Sequence, residues 1–388
     1  MEDTIEKLKN KIDLIEENYD KRLKKLEKEN KFMKKILLQN INENKEILNI
    51  FNYMNEIYKI ILDIISKYER LIKKDEYITY NVRKEDIDGD GFVRILGENY
   101  NGTDFVKENK DNCYLIINDK KVDLCYKYKL ALGINKIKFI FKNKVNNYSC
   151  LFKNIEALKD ISGMKYWDVS DGTNFNNLFY MCRQLTDISA LKDWNVSNGT
   201  NFSNLFSWCI QLTDISALKD WDVLNGTDFS GLFDNCRKLS DISILKNWNI
   251  SNGTNFSYFL SGCAELMDIS PLKDWNVSNA TNFHGFFYSC SKLSDINPLK
   301  NWNVSNGTDF SCLFRFCYKL SDISGLENWD VSNSTNFSAL FEKCLLLSNI
   351  SALNNWDVSK GNNFSGLFME CPKLTDISAL KNWEVSWN

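Results

Sequence analysis

The sequence predicts a mainly β solenoid, leucine-rich-repeat-like, with a strand and a short helix per 27-residue turn, preceded by an α-helical coiled coil and a small β domain. Three observations predict it. Tryptophans recur at 167, 194, 221, 248, 275, 302, 329, 356 and 383, and cysteines at 182, 209, 236, 263, 290, 317, 344 and 371, both with an unbroken 27-residue period. A heptad seam runs through the first 75 residues, and short β patterns fill the interval between. A fixed period of ~20 to 50 residues marks stacked units, none of which can bury its apolar face alone.

Composition narrows the functional classes. The chain has 388 residues, 44% of them apolar and 13% aromatic, enough for a buried core. Its formal net charge of -3 gives no summed field for nucleic acid, an anionic membrane or a polyanionic substrate. The segment Met1 to Leu14, MEDTIEKLKNKIDL, has acids where a signal peptide needs basic residues and charges where it needs an apolar run. Asn49, Asn52, Glu56, Lys59 and Asp63 interrupt the most apolar window, Ile47 to Ile72, short of the ~18 apolar residues of a membrane span. These features predict a cytoplasmic protein without a membrane span, with the cell surface as the alternative.

Residues 1–75 contain neither Gly nor Pro. From Met33 the residues Leu37, Asn40, Asn44, Ile47, Phe51, Met54, Tyr58, Ile61, Ile65, Tyr68 and Ile72 alternate steps of four and three, a coiled-coil seam. An earlier seam, from Ile5 through Leu8, Ile12, Ile15, Tyr19 and Arg22 to Leu26, joins it at Asn30 with a stutter. The expectation is a helix that makes the chain a homo-oligomer; a hairpin with its corner at Asn40 to Asn44 is the alternative. The basic run Lys21 to Lys35, with Phe32 its one aromatic, lacks the aromatic interleaving of a nucleic-acid site, so it reads as a solvated coiled-coil face rather than a nucleic-acid or membrane contact.

Residues 76–144 show β patterns at Ile78 to Val82, Phe92 to Leu96, Tyr114 to Ile117, Lys121 to Tyr128 and Lys136 to Phe141, with a hairpin turn at Asn118 to Lys120. They are expected to form a small β domain capping the array.

Residues 145–388 form the array. In Leu185 to Trp208, LTDISALKDWNVSNGTNFSNLFSW, the residues Leu185, Ile188 and Leu191 lead to an alternating Trp194 and Val196, then to Asn198-Gly199, a dipeptide suited to a tight turn with positive φ. Phe202, Leu205, Phe206, Cys209 and Leu212 follow at helical spacing. The first unit is degenerate, with Ile155 at the cysteine position and Met164 at that of Leu191. Trp194 to Cys209, WNVSNGTNFSNLFSWC, resembles the BspA-type leucine-rich-repeat surface proteins, with Gly199, Phe202 and Leu205 as departures. The resemblance implies a right-handed solenoid, no enzymatic activity and, in bacterial members, adhesion to host proteins.

Chemistry-bearing motifs have plainer explanations. Asp86, Asp88, Asp90 and Gly91 match the first half of a calcium-binding EF-hand loop, but Gly97 stands where the bidentate Glu belongs and the flanks read as strands. The cysteines come one per unit with a single histidine, His284, in the chain, which does not suit zinc. Stacked units would permit disulfides; reduced thiols packed as small hydrophobes are the expectation. Asp187, Asp214, Asp241, Asp268, Asp295, Asp322 and Asp376 form a ladder for which turn capping and lysines at 192, 219, 246, 273, 300 and 381 are the expected compensation. No nucleophile elbow, phosphate loop or convergent acid pair is present, so no enzyme, cofactor or metal is predicted.

Comparison of the units shows where a partner would bind, with drift on a tolerant helical face as the alternative. The Trp, Val, Ile and Phe positions barely vary, whereas those around each cysteine vary freely. Tyr180, Trp208, Tyr288, Phe316, Tyr318 and Leu345 are the candidate binding residues there. The predicted function is a non-enzymatic protein-binding or scaffolding solenoid multimerised by its N-terminal coiled coil, its partner a protein; the alternative is an adhesin-like surface protein exported by another route.

Overall fold

The computed structural model describes residues 76–100 and 102–383. The expected coiled coil lies outside them, as does the end of the last unit. The chain divides into two units, Met1–Lys73 and Lys74–Asn388, and the second contains every described residue.

Seven strands open this unit: β1 (Tyr77–Val82), β2 (Val93–Arg94), β3 (Cys113–Ile117), β4 (Lys120–Asp123), β5 (Lys127–Tyr128), β6 (Gly133–Phe141) and β7 (Leu158–Asp160), with one short helix, α1 (Phe105–Asn109). The order of the main sheet is β4-β3-β6-β1-β7, and β2 pairs with β5 apart from it. Alternation sets the sheet: Ile78, Tyr80 and Val82 of β1 and Cys113, Leu115 and Ile117 of β3 point to the core. The β3–β4 hairpin closes through Asn118 and Asp119 at φ 50° and 61°, the left-handed pair that suits the twist of a two-residue turn. The expected single strand Lys121 to Tyr128 is split into β4 and β5.

β7 belongs to the first repeat, so the sheet runs directly into the array. Thr79 pairs with Asp160 and Tyr80 with Leu158. Gly97 lies so close to this first unit that a Cβ on it would sit 2.0 Å from the Cys150 carbonyl oxygen. The Gly97 N–H donates to Leu151 O at 3.0 Å.

The repeats form a repetitive, solenoid-like stack, and two local expectations are corrected. Phe202 to Leu212 is a run of overlapping turns instead of a helix: Leu205 N–H donates to Phe202 O at 3.2 Å and Cys209 N–H to Phe206 O at 3.0 Å. The intervening N–H groups point along the stack, Phe202 to Asp228 O at 2.9 Å, Asn204 to Ser230 O at 2.7 Å, Phe206 to Leu232 O at 3.0 Å and Trp208 to Asp234 O at 2.6 Å. A helix would turn every N–H back onto its own segment, so the stack excludes it. The alternation is made by left-handed residues, Asn204 at φ 54° and Trp208 at φ 63°.

The strand expected before the turn is also reduced. Ser189–Leu191 is a 3-10 turn, and ladder pairing shrinks to isolated parallel bridges such as Asn174 to Asn201 and Asn201 to Asp228. Gly199 does not adopt positive φ; it is small because a Cβ there would meet Phe202 Cζ at 2.3 Å.

Side-chain columns fill the interior. One begins at α1, with Phe105 and Tyr148 6.1 Å apart, and continues through Phe175, Phe202 and Phe229 at 5.5 to 5.6 Å. A second runs through Phe152, Phe179, Phe206 and Phe233 at 5.6 to 5.9 Å. Where that column has Leu260, the preceding residue is Phe259 instead of the leucine found at Leu205, Leu232, Leu313 and Leu340, an exchange that keeps the volume of the pair, and the next unit has phenylalanine at both positions, Phe286 and Phe287. Tryptophans stack in neighbouring units, Trp194 on Trp221 and Trp275 on Trp302 at 6.4 Å, and from Trp194 onward they lean on a phenylalanine and donate the indole N–H to the preceding unit, as from Trp275 to Leu245 O at 2.9 Å.

Candidate functional site

The positions around each cysteine form one band along the array, and two of them are held by the turns just described. The residue before the cysteine is left-handed in unit after unit: Met181, Trp208, Asn235, Ser289, Phe316, Lys343 and Glu370 lie at φ 56° to 64°, and Gly262 at 67°. Left-handed backbone costs roughly 1–2 kcal/mol for an L residue with a Cβ. The position four before it is left-handed too, with Gly231, Tyr258, Gly285 and Cys312 in succession. Gly285 leaves room for the tyrosine of the neighbouring unit, because a Cβ there would meet the Tyr258 ring at 2.7 Å.

Four of the six sequence-predicted residues lie toward the C-terminal half of this band. Tyr288 meets Phe316 edge-on at 5.2 Å, and Phe316 meets Tyr318 at 6.1 Å. Leu345 occupies the column of Tyr318 one unit on, and the two are 39% and 40% exposed. Arg315 lies 4.7 Å over the Phe316 ring and is anchored by a 2.8 Å bond to the buried Glu342; Lys343 lies over the same ring at 5.2 Å. The structure does not bring Tyr180 and Trp208 into this cluster. Tyr180 carries Lys153 over its ring at 5.9 Å, and Trp208 is flanked by Arg183 and Arg237.

Sequence reasoning missed Tyr258 and His284. Tyr258 is 39% exposed and touches both His284, at 4.6 Å between ring centres, and Tyr288, at 6.3 Å. His284 Nε2 is 2.5 Å from the Tyr258 hydroxyl, and its Nδ1 is 2.5 Å from Ser311 Oγ. The aromatic cluster therefore runs Tyr258, His284, Tyr288, Phe316, Tyr318. The trace it leaves in the sequence is the column of Tyr258, where the units on either side have Gly231 and Gly285.

The repeats also place the chain among known sequences. Residues 131–241, 209–325 and 291–387 each match the family described as Mycoplasma protein of unknown function, DUF285. The chain belongs to that family. The three matches overlap, as they do when a family is defined by a run of repeats, and together cover both β6 and the array. No curated protein matches the chain.

In this DUF285 chain the other motifs are occupied structurally. Asp86 is bonded to Arg83 and Asp88 to Lys127 at 2.7 Å, while Asp88 Oδ1 also accepts the N–H groups of Asp90 and Phe92. The Asp ladder is served by backbone: Asp187 accepts Ser189 N–H at 2.8 Å, and Asp214, Asp241, Asp268, Asp295, Asp322 and Asp376 repeat the bond. Those bonds and the serine hydroxyls hold Asp322 and Asp376 below the usual carboxylate range. Among the described residues the expected lysine ladder forms no ion pair with it. Asn349 takes the same bond from Ser351, which shows that the position needs an acceptor and no charge.

The thiols of the repeat series are free and sit on carbonyls, as Cys209 donates to Phe179 O at 3.3 Å. Burial pushes Cys209, Cys236, Cys263, Cys290 and Cys317 well above the ordinary thiol range, which makes them poor nucleophiles. Among the described residues no helix is long and apolar enough to cross a membrane, and no group of three potential metal ligands occurs.

Proposed function

We propose that this chain is a non-enzymatic protein-binding solenoid whose partner seats on the cluster Tyr258, Tyr288, Phe316, Tyr318 and Leu345. One observation carries the reading. Phe316 is held in a left-handed conformation that Gly262 fills two units earlier without strain, yet its ring is half-buried beside an exposed tyrosine rather than in the core. Aromatics in a rim of charged groups are the usual anchors of protein interfaces. Multimerisation through residues 1–75 would add avidity to such a surface, and a cytoplasmic scaffold is the setting that fits the sequence. The likeness of Trp194 to Cys209 to BspA-type repeats favours a second reading, an exported adhesin using the same surface.

The test is a photo-cross-linking residue placed at Tyr318 and, as control, at exposed Asn195, in the native source. Cross-linking to one protein from position 318 alone, competed by the wild-type chain and not by a Phe316→Gly/Tyr318→Ser variant, is the expected result. Equal cross-linking from both positions, or equal competition by the variant, contradicts the proposal.

A further inference from the structure

The Trp208 end of the same band has a different chemistry. Arg183 and Arg237, from the units on either side, place their guanidinium carbons 5.9 Å and 5.4 Å from the Trp208 ring centre. Among the described residues neither has a carboxylate within ion-pair distance, in contrast to Arg315, which is paired with Glu342 at 2.8 Å. Asp234, three residues before Arg237, is committed to Ser207 at 3.2 Å and Asn235 at 2.8 Å. Arg183 Nε is buried and has no hydrogen-bond partner.

Charge is segregated in the same sense. The five positions centred on each repeat cysteine carry eight basic and four acidic side chains, whereas the remainder of residues 145–388 carries ten basic and 21 acidic. An acidic array thus displays one basic band, and complementary potential selects a partner of opposite charge. Planar guanidiniums held on an indole are preorganised for two-point recognition of carboxylates.

We infer that Arg183, Trp208 and Arg237 form a clamp for the carboxylates of an acidic polypeptide segment whose apolar side chains continue onto Phe316 and Tyr318. This rests on the protein-binding reading above. Trp208 and Phe316 stand four units apart, ~20 Å at ~4.8 Å per unit, which ~6 residues of extended peptide span. Nucleic acid fits less well, because Arg183 and Arg237 lie over the Trp208 ring where a base would stack and the band's own carboxylates interrupt its charge.

The experiment measures fluorescence anisotropy of the full chain with three labelled probes. One peptide has a run of glutamates followed by leucine and tyrosine, the second has lysines in place of the glutamates, and the third probe is a short oligothymidine. The acidic peptide should bind, should weaken on moving from about 0.05 to about 0.5 M salt, and should lose roughly tenfold or more in Arg183→Gln/Arg237→Gln. Arg183→Lys/Arg237→Lys should restore part of the loss, and unfolding midpoints should match wild type in both variants. If a variant does not fold, the wild-type comparison of acidic with basic peptide still decides. Binding that ignores peptide charge or the arginines, or tighter binding of oligothymidine, overturns the inference. Cross-linking from position 318 that persists while the acidic peptide fails also overturns it, and leaves the binding-surface reading standing.

Discussion

The methyl group of Ala280 displaces the ring of Phe283. Phenylalanines preceded by glycine three residues earlier stack at 5.5 to 5.6 Å, but Phe256 to Phe283 opens to 6.5 Å and Phe283 to Phe310 closes to 5.2 Å. Ser334 does the same to Phe337, with 6.2 Å on one side and 5.3 Å on the other. The glycine column is thus a spacing device for the rings.

Gly226→Ala should reproduce that displacement. Its Cβ would meet Phe229 Cζ at 2.3 Å, so the ring must move toward the next unit. Overpacking costs about 1–3 kcal/mol, offset in part by the lower entropy of the unfolded chain, so a net loss of about 1 kcal/mol is expected in urea unfolding. No loss, or collapse of the fold, would refute the spacing account.

Trp275 separates packing from hydrogen bonding. Trp275→Ala removes a buried ring stacked on Trp302 at 6.4 Å and should cost about 3–5 kcal/mol, splitting unfolding into two transitions because repeat arrays are coupled only to neighbours. Trp275→Phe keeps apolar bulk but leaves Leu245 O without its indole donor, and should cost about 1–2 kcal/mol. Equal losses would show that the indole N–H carries the column.

The buried thiols predict a pH dependence of definite sign. Their folded pKa values are raised by burial, Cys113 to about 12, so the folded state holds protons that the unfolded state releases once pH passes the ordinary thiol range. Their stability contribution is complete below the unfolded pKa and is lost as pH rises toward the folded one. Each such thiol adds a slope of up to ~1.4 kcal/mol per pH unit above about pH 9. Urea midpoints in reductant should therefore fall steeply from pH 9 to pH 10.5; a flat profile would mean that the thiols are open to solvent.

Periodicity made the array and its core legible, because the Trp, Phe, Leu and Cys columns follow from stacking whatever the local backbone does. Local geometry was less so. Phe202, Leu205, Phe206 and Cys209 have helical spacing, yet the N–H groups of Phe202 and Phe206 serve the next unit, and commitments between units leave no trace in the spacing of one unit. The Trp275 indole bond and the steric role of Gly199 were hidden for the same reason. At the candidate site, Tyr288, Phe316 and Tyr318 stood out as large residues in variable columns. Tyr258 did not, since its column reads as a turn position until its left-handed backbone is seen, and neither did His284, which stands in the adjoining column with Ser257 and Ser311.

Whether the aromatics serve the fold or a partner is decided most directly by Phe316→Gly. The change relieves a left-handed conformation at φ 64° worth roughly 1–2 kcal/mol and forfeits ring contacts with Arg315 and Tyr288 of similar total size. Urea unfolding should place the variant within about 1 kcal/mol of wild type while cross-linking from position 318 is lost. A loss approaching the ~3–5 kcal/mol of a core ring, with cross-linking intact, would show that Phe316 packs for stability and that the partner binds elsewhere.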